Sequence, residues 1–123
     1  MDRSFLLIGA VINFLGVAAG AFGAHALRSR LSADMLSVFE TGVRYQMYHG
    51  LAILLVALAI GHFGHARLLL ASGWSFVGGV VLFSGSLYAL SLTDIRILGA
   101  VTPLGGLLFL LGWGCLALFA FLK

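Results

Sequence analysis

The sequence predicts an all-α integral membrane protein: four transmembrane helices in an up-down bundle, with a short amphipathic surface helix in the first loop. Three observations predict it. The 123 residues are 62% hydrophobic and 9% charged, against about 25% charged in an ordinary soluble domain, so the chain has too little polar surface to cover itself in water. Four stretches contain no Asp, Glu, Lys or Arg: 4–27, 45–66, 68–93 and 97–122. Each exceeds the roughly 20 residues a helix needs to cross about 30 Å of hydrocarbon. The third observation is the polar interruption at 28–44, the longest between apolar runs. A transmembrane β-barrel would show segments of roughly ten residues alternating in polarity, and none is present. The chain is expected as one domain, with helices over 4–27, 45–63, 68–92 and 97–122 and the surface helix over 32–42.

The first segment carries Gly9, Asn13, Gly16, Gly20 and Gly23 at steps of four and three, one stripe of a helix. In lipid, helices associate through close backbone approach and polar contacts, so Gly9, Asn13, Gly16 and Gly20 are expected to form a packing face. Asn13, near mid-membrane, is expected to make an interhelical hydrogen bond. Arg3, the apolar run and Ala24-His25-Ala26 also have the look of a signal peptide. The run is longer than the 7–15 residues typical of such a segment, so a retained helix is expected.

In RSRLSADMLSVFETGVR (28–44), Ser32 suits a helix N-cap, and Leu36, Phe39 and Val43 recur at steps of three and four. This is the pattern of an amphipathic surface helix, joined to the second segment through a bend near Gly42. The second segment has the apolar core GLAILLVALAIGHF, and His62 and His65 border the tight connection beyond it. Gly78 and Gly85 lie seven apart on the third segment, as do Gly105 and Gly112 on the fourth; all four are expected as packing sites. Pro103 is tolerated near the start of the fourth segment because its missing N–H would have no partner there.

Short loops force the helices to alternate. The motif-like polar residues then fall at one end of the bundle. The expectation is a one-sided polar vestibule built from His25, Glu40, Arg44, Tyr45, Tyr48, His49, Ser84, Ser86, Tyr88 and Thr102. Glu40, Arg44 and Tyr48 share one helical stripe, and Thr41, Tyr45 and His49 the adjacent one. Glu40 and Arg44 stand in the favourable i,i+4 order for an ion pair. With His49 they are expected to face the first or third segment, since an ionisable group near hydrocarbon turns inward or snorkels to water. The plainer alternative is that the pair neutralises itself and the serines bond backbone carbonyls.

Several function classes drop out. The isoelectric point is near 9.6, but the net charge is +3 and the basic residues stand singly at helix ends, so no nucleic-acid surface is expected. Cys115 is the single cysteine, which permits neither an intrachain disulfide nor a multi-thiol metal site. No catalytic set or metal quartet is written in the chain, and an enzyme, a catalytic residue, a metal and a cofactor are all unexpected. Three readings stay open. One is a non-enzymatic accessory or small-ligand- or lipid-binding bundle. Another is an oligomeric transporter or channel component with Glu40, Arg44 and His49 as gate or proton relay. The third is a haem or metal protein through His25 and His49. The expected partners are the bilayer, a lipid or hydrophobic small molecule, and further copies of the chain or a larger membrane complex.

GAFGAHAL (20–27), FETGVRYQMYHGLAIL (39–54), LFSGSLYAL (82–90) and VTPLGGLLFLLGW (101–113) together resemble the small bacterial inner-membrane family catalogued as domain of unknown function 423. The resemblance implies a four-helix integral protein of the inner membrane with no established activity. Arg3, Arg67 and Lys123 lie on the side of the termini and Arg28, Arg30, Arg44 and Arg96 on the other, so the positive-inside rule does not decide the orientation. The family tendency implies cytoplasmic termini.

Overall fold

A computed structural model describes residues 3–123. Four helices dominate it: α1 (Arg3–Leu27), α2 (Ala33–Phe63), α3 (Arg67–Thr93) and α4 (Arg96–Leu122). All four are long and apolar enough to cross a membrane, and no strand occurs among the described residues.

The start of α2 reflects local chemistry. Ser32 is extended, and its side chain accepts a hydrogen bond from the Met35 amide at 3.2 Å, satisfying one of the orphan donors of the first turn. Asp34 in that turn suits the positive end of the helix dipole. The helix then runs 31 residues to Gly64, whose φ of 90° ends it. At 1.5 Å per residue this is about 46 Å. The separate surface helix expected over 32–42, with its bend at Gly42, is therefore not formed; that stretch is the first turns of α2. Gly42 serves contact rather than bending. A Cβ there would lie 2.9 Å from the Tyr88 ring, and the Ser84 hydroxyl donates to the Gly42 carbonyl at 2.6 Å. The apolar face of the stretch does meet protein: Phe39 is buried, and Leu36 and Val43 are half-buried.

α2 and α3 form the central pair, with α1 packed on α2 and α4 on α3. The buried side of α2 is Phe39, Gly42, Gln46, His49, Ile53, Val56 and Ile60. These alternate at steps of three and four, the seam of left-handed helix packing. Phe5 crosses from α1 to lie over Gly73 and edge-on to Trp74 of α3, with centroids 5.1 Å apart. Phe63 and Phe119 meet at the same end of the bundle. Less of α1 and α4 is buried than of α2 and α3, and their outer faces carry leucine and phenylalanine, as a lipid-facing surface requires.

The glycine stripe of α1 faces α2. A Cβ at Gly9 would come within 2.8 Å of Leu54, at Gly16 it would meet the Met47 thioether at 2.5 Å, and at Gly20 it would reach Val43 at 3.0 Å. Between α3 and α4, Gly105 lies against the Phe83 backbone, Gly112 against the Phe76 ring and Gly78 against Leu108. Gly85 departs from expectation: nothing lies within 4 Å of a Cβ placed there. Between Gly78 and Gly85 the helix contains a π-helical turn, Val80–Ser84. Such a turn takes up an extra residue and rotates the rest of the helix off the stripe. A second π-helical turn, Ala19–Gly23, lies in α1.

Candidate functional site

The expected vestibule resolves into three separate arrangements. The first is a ladder of hydrogen bonds inside the bundle. The α2 seam turns Gln46 inward, where its Nε2 donates to the Ile12 carbonyl of α1 at 2.8 Å and its Oε1 accepts from the Tyr88 hydroxyl of α3. One amide thus ties three helices. The Tyr88 ring packs beside Phe39 with centroids 5.1 Å apart. Ser84 bonds the Gly42 carbonyl one turn away, and Ser91 donates to the Tyr88 carbonyl at 3.0 Å. Ser86 donates to the Phe83 carbonyl at 3.0 Å and lies 2.5 Å from the Thr102 hydroxyl of α4. With its own proton spent on the carbonyl, Ser86 accepts from Thr102. Ser84, Ser86, Tyr88 and Thr102 are thereby engaged with protein partners rather than lining an open space. Asn13 does not make the expected interhelical bond. Its Oδ1 is buried without a partner and lies against Gly50.

The second arrangement surrounds His49. Its ring stacks on Phe109 of α4 with centroids 3.6 Å apart. The Trp113 indole donates to Nε2 at 3.1 Å, and Nδ1 is 2.8 Å from the Tyr45 carbonyl. An indole N–H can only donate and a carbonyl can only accept, so Nε2 is the acceptor and Nδ1 carries the proton. Both ring nitrogens are in use. His49 therefore faces α4 rather than Ser84, Tyr88 or His25, because the α2 seam points it toward the α4 aromatics. A metal or proton at Nε2 would have to displace Trp113. His25 is exposed on the last turn of α1 and takes no part in the bonds of His49. Among the described residues, no group of three or more His, Cys, Asp and Glu side chains converges.

The third arrangement lies outside. Glu40, Arg44 and Tyr48 form an exposed stripe of α2, with Tyr45 beside it 37% exposed. The inward orientation expected for Glu40 and Arg44 is thus replaced by an outward one, because the seam residues Phe39, Gly42 and Gln46 occupy the inner face. Nor do Glu40 and Arg44 pair. Arg44 Nη2 donates to Thr41 Oγ1 at 3.1 Å, and that hydroxyl donates to the Ser37 carbonyl at 2.9 Å. Among the described residues no side chain bonds Glu40. Both charges line a cleft of about 180 Å³ shared with Val43 and with Gly20 and Ala24 of α1. It opens where the π-helical turn of α1 passes α2.

Sequence reasoning did not assign Gln46 or Trp113. The signal for Gln46 was its place in the Phe39–Gly42–Gln46–His49 spacing. Trp113 had none, since it lies 64 residues from its partner.

A family model described as "Protein of unknown function (DUF423)" matches residues 19–106, well over half of the chain. The chain belongs to the DUF423 family. The match takes in the Glu40–Arg44 cleft, Gln46, His49, the α3 serines and Thr102, and ends before Phe109 and Trp113. Among related proteins, a UPF0382 membrane protein of Staphylococcus haemolyticus is 49% identical over 111 residues, covering 90% of this chain and 89% of its own. The UPF0382 membrane protein YwdK of Bacillus subtilis is 46% identical over 111 residues, covering 90% of each chain. These DUF423 relatives are named as membrane proteins, in agreement with the four spans. No solved structure matches the chain.

Proposed function

We propose that this DUF423 protein is a non-enzymatic accessory bundle of the bacterial inner membrane that binds a lipid or another amphiphilic small molecule at the α1–α2 cleft. The observation that carries the reading is the state of Glu40 and Arg44. They stand four residues apart on one helix, leave each other unpaired, and line the same cleft. Unpaired charge beside hydrocarbon is costly, and a ligand of complementary charge at the membrane lip offsets that cost. The interior polar groups point away from turnover or a proton path, since Gln46, Tyr88, His49 and Trp113 are occupied with one another or with backbone. In this reading the termini are cytoplasmic and the cleft faces outward.

The test is purification in mild detergent, then native mass spectrometry and solvent extraction. A bound lipid or amphiphile at near-unit stoichiometry is expected, reduced in Arg44→Gln. Protein free of any such molecule, and unable to take one up from added membrane lipid, would end the reading.

A further inference from the structure

Resting on that reading, we propose that the ligand is a zwitterionic phospholipid with a primary ammonium headgroup. Its phosphate lies at Arg44 and its ammonium at Glu40, and one acyl chain runs along the hollow of α1 to Ala10. The headgroup assignment comes from charge. The cleft presents one guanidinium and one carboxylate, of opposite sign and not paired with each other. Thr41 holds one corner of the guanidinium and leaves other N–H donors for phosphate oxygens. Glu40, with no partner among the described residues, can accept N–H donors. A purely anionic headgroup would meet Arg44 and leave the carboxylate facing a like charge.

The acyl assignment comes from shape and depth. An apolar hollow of about 420 Å³ runs along α1, lined by Ala10, Asn13, Phe14, Val17, Ala18 and Phe22, with Ala10 farthest from the charged cleft. Asn13, Val17, Gly20 and Ala24 succeed one another at steps of four, three and four. Asn13 and Val17 line the hollow, and Gly20 and Ala24, the next two turns of α1, line the cleft. From Ala24 to Ala10 is about 21 Å along the axis. That is half of a bilayer of roughly 40–45 Å counted with its headgroups, the depth of one leaflet. The charged cleft stands at the lip, near the end of α1, where headgroups lie. Charge, length and depth all match one lipid of one leaflet.

The experiment is a native mass-spectrometry titration of delipidated protein with phosphatidylethanolamine, phosphatidylcholine and phosphatidylglycerol of identical acyl chains. The ranking in the unaltered protein is a test that requires no variant: the ethanolamine lipid should bind roughly tenfold more tightly than the other two, as expected for one added hydrogen bond to a charged group. Glu40→Gln should remove that preference. Arg44→Gln should weaken all three lipids together. Val17→Trp, which fills the hollow, should weaken all three without altering their order. Glu40 and Arg44 are exposed, so these variants should fold, and unchanged thermal unfolding would verify it. Equal binding of the three lipids, or a preference that survives Glu40→Gln, overturns the headgroup assignment and leaves the lipid-binding reading intact. A lipid-free dimer abolished by Val17→Trp overturns it in favour of a second copy on the α1 face. Failure to bind any lipid removes both.

Discussion

Where α1 meets α2, three glycines lie under the ends of aliphatic side chains, Leu54 over Gly9, Met47 over Gly16 and Val43 over Gly20, while the edge of the Phe39 ring stands over Gly23. Where α3 meets α4, three lie under rings and main chain, Phe109 over Gly79, Phe76 over Gly112 and the Phe83 backbone against Gly105, while Leu108 lies over Gly78. Both seams allow close approach by removing a Cβ, yet they differ in how far they can yield. A methionine or leucine end has rotamers to move into, while a buried ring or a peptide unit in a helix does not. The first seam can therefore yield along Met47 and Leu54, and beyond them, past Val43, lies the Glu40–Arg44 cleft. The second stays shut, with the His49–Trp113 bond and the Ser86–Thr102 bridge beside it.

The sharpest way to break this comparison is to add one methyl group to each seam. Gly105→Ala sets a Cβ against the Phe83 amide nitrogen, and a loss of about 3 kcal/mol is expected, at the upper end of overpacking costs. Gly16→Ala meets the Met47 thioether, which can swing away, and should cost no more than about 1 kcal/mol. Reversible unfolding in mixed detergent micelles measures both, and equal losses would show that the seams do not differ in compliance.

A middle-sized effect is expected at the hub that links the seams. Gln46→Leu strands the Tyr88 hydroxyl, takes from the Ile12 carbonyl the bond it makes besides its intrahelical one, and should cost about 1–3 kcal/mol. Tyr88→Phe should then be less damaging in the Gln46→Leu background than alone, because its partner is already gone. Independent, additive losses in that double-mutant cycle would mean that the bond contributes little.

The smallest expected effect is a gain. Gly85 has open space where its Cβ would be, so Gly85→Ala should stabilise α3 by about 0.5–1 kcal/mol through helix propensity alone. A loss there would reveal a contact that neither seam accounts for.

These contrasts also mark how much of the molecule was legible in its residues. The four spans were, since charge-free runs of that length have no other solvent than lipid. So was the N-cap at Ser32, a local event requiring one hydroxyl and the amides three residues on. The direction faced by the polar residues was less so. Glu40, Arg44 and Tyr48 share a stripe whichever way that stripe points. The inner face of α2 was set instead by Phe39, Gly42, Gln46 and His49, most of them small or polar and so weak in any hydrophobic pattern. Gln46 bonds a main-chain carbonyl on another helix, a partner that every residue possesses and that leaves no trace in sequence. Gly85 failed as a packing site because a π-helical turn shifts register, and register is what seven-residue spacing assumes.

The unbroken course of α2 has one more consequence. A helix of about 46 Å in a hydrocarbon layer of about 30 Å behaves as a rigid lever. Its fulcrum is the inner face at Ile53, Val56 and Ala57, where exposure falls to nothing. Tilt swings the Ser32 arm and the Gly64 arm in opposite directions, and a thinner bilayer favours more tilt. Glu40 and Arg44 ride on the first arm and His62 on the second, so any tilt of α2 relative to α1 would move the mouth between them. A surface helix hinged at Gly42 would have absorbed such motion; a single rod passes it on.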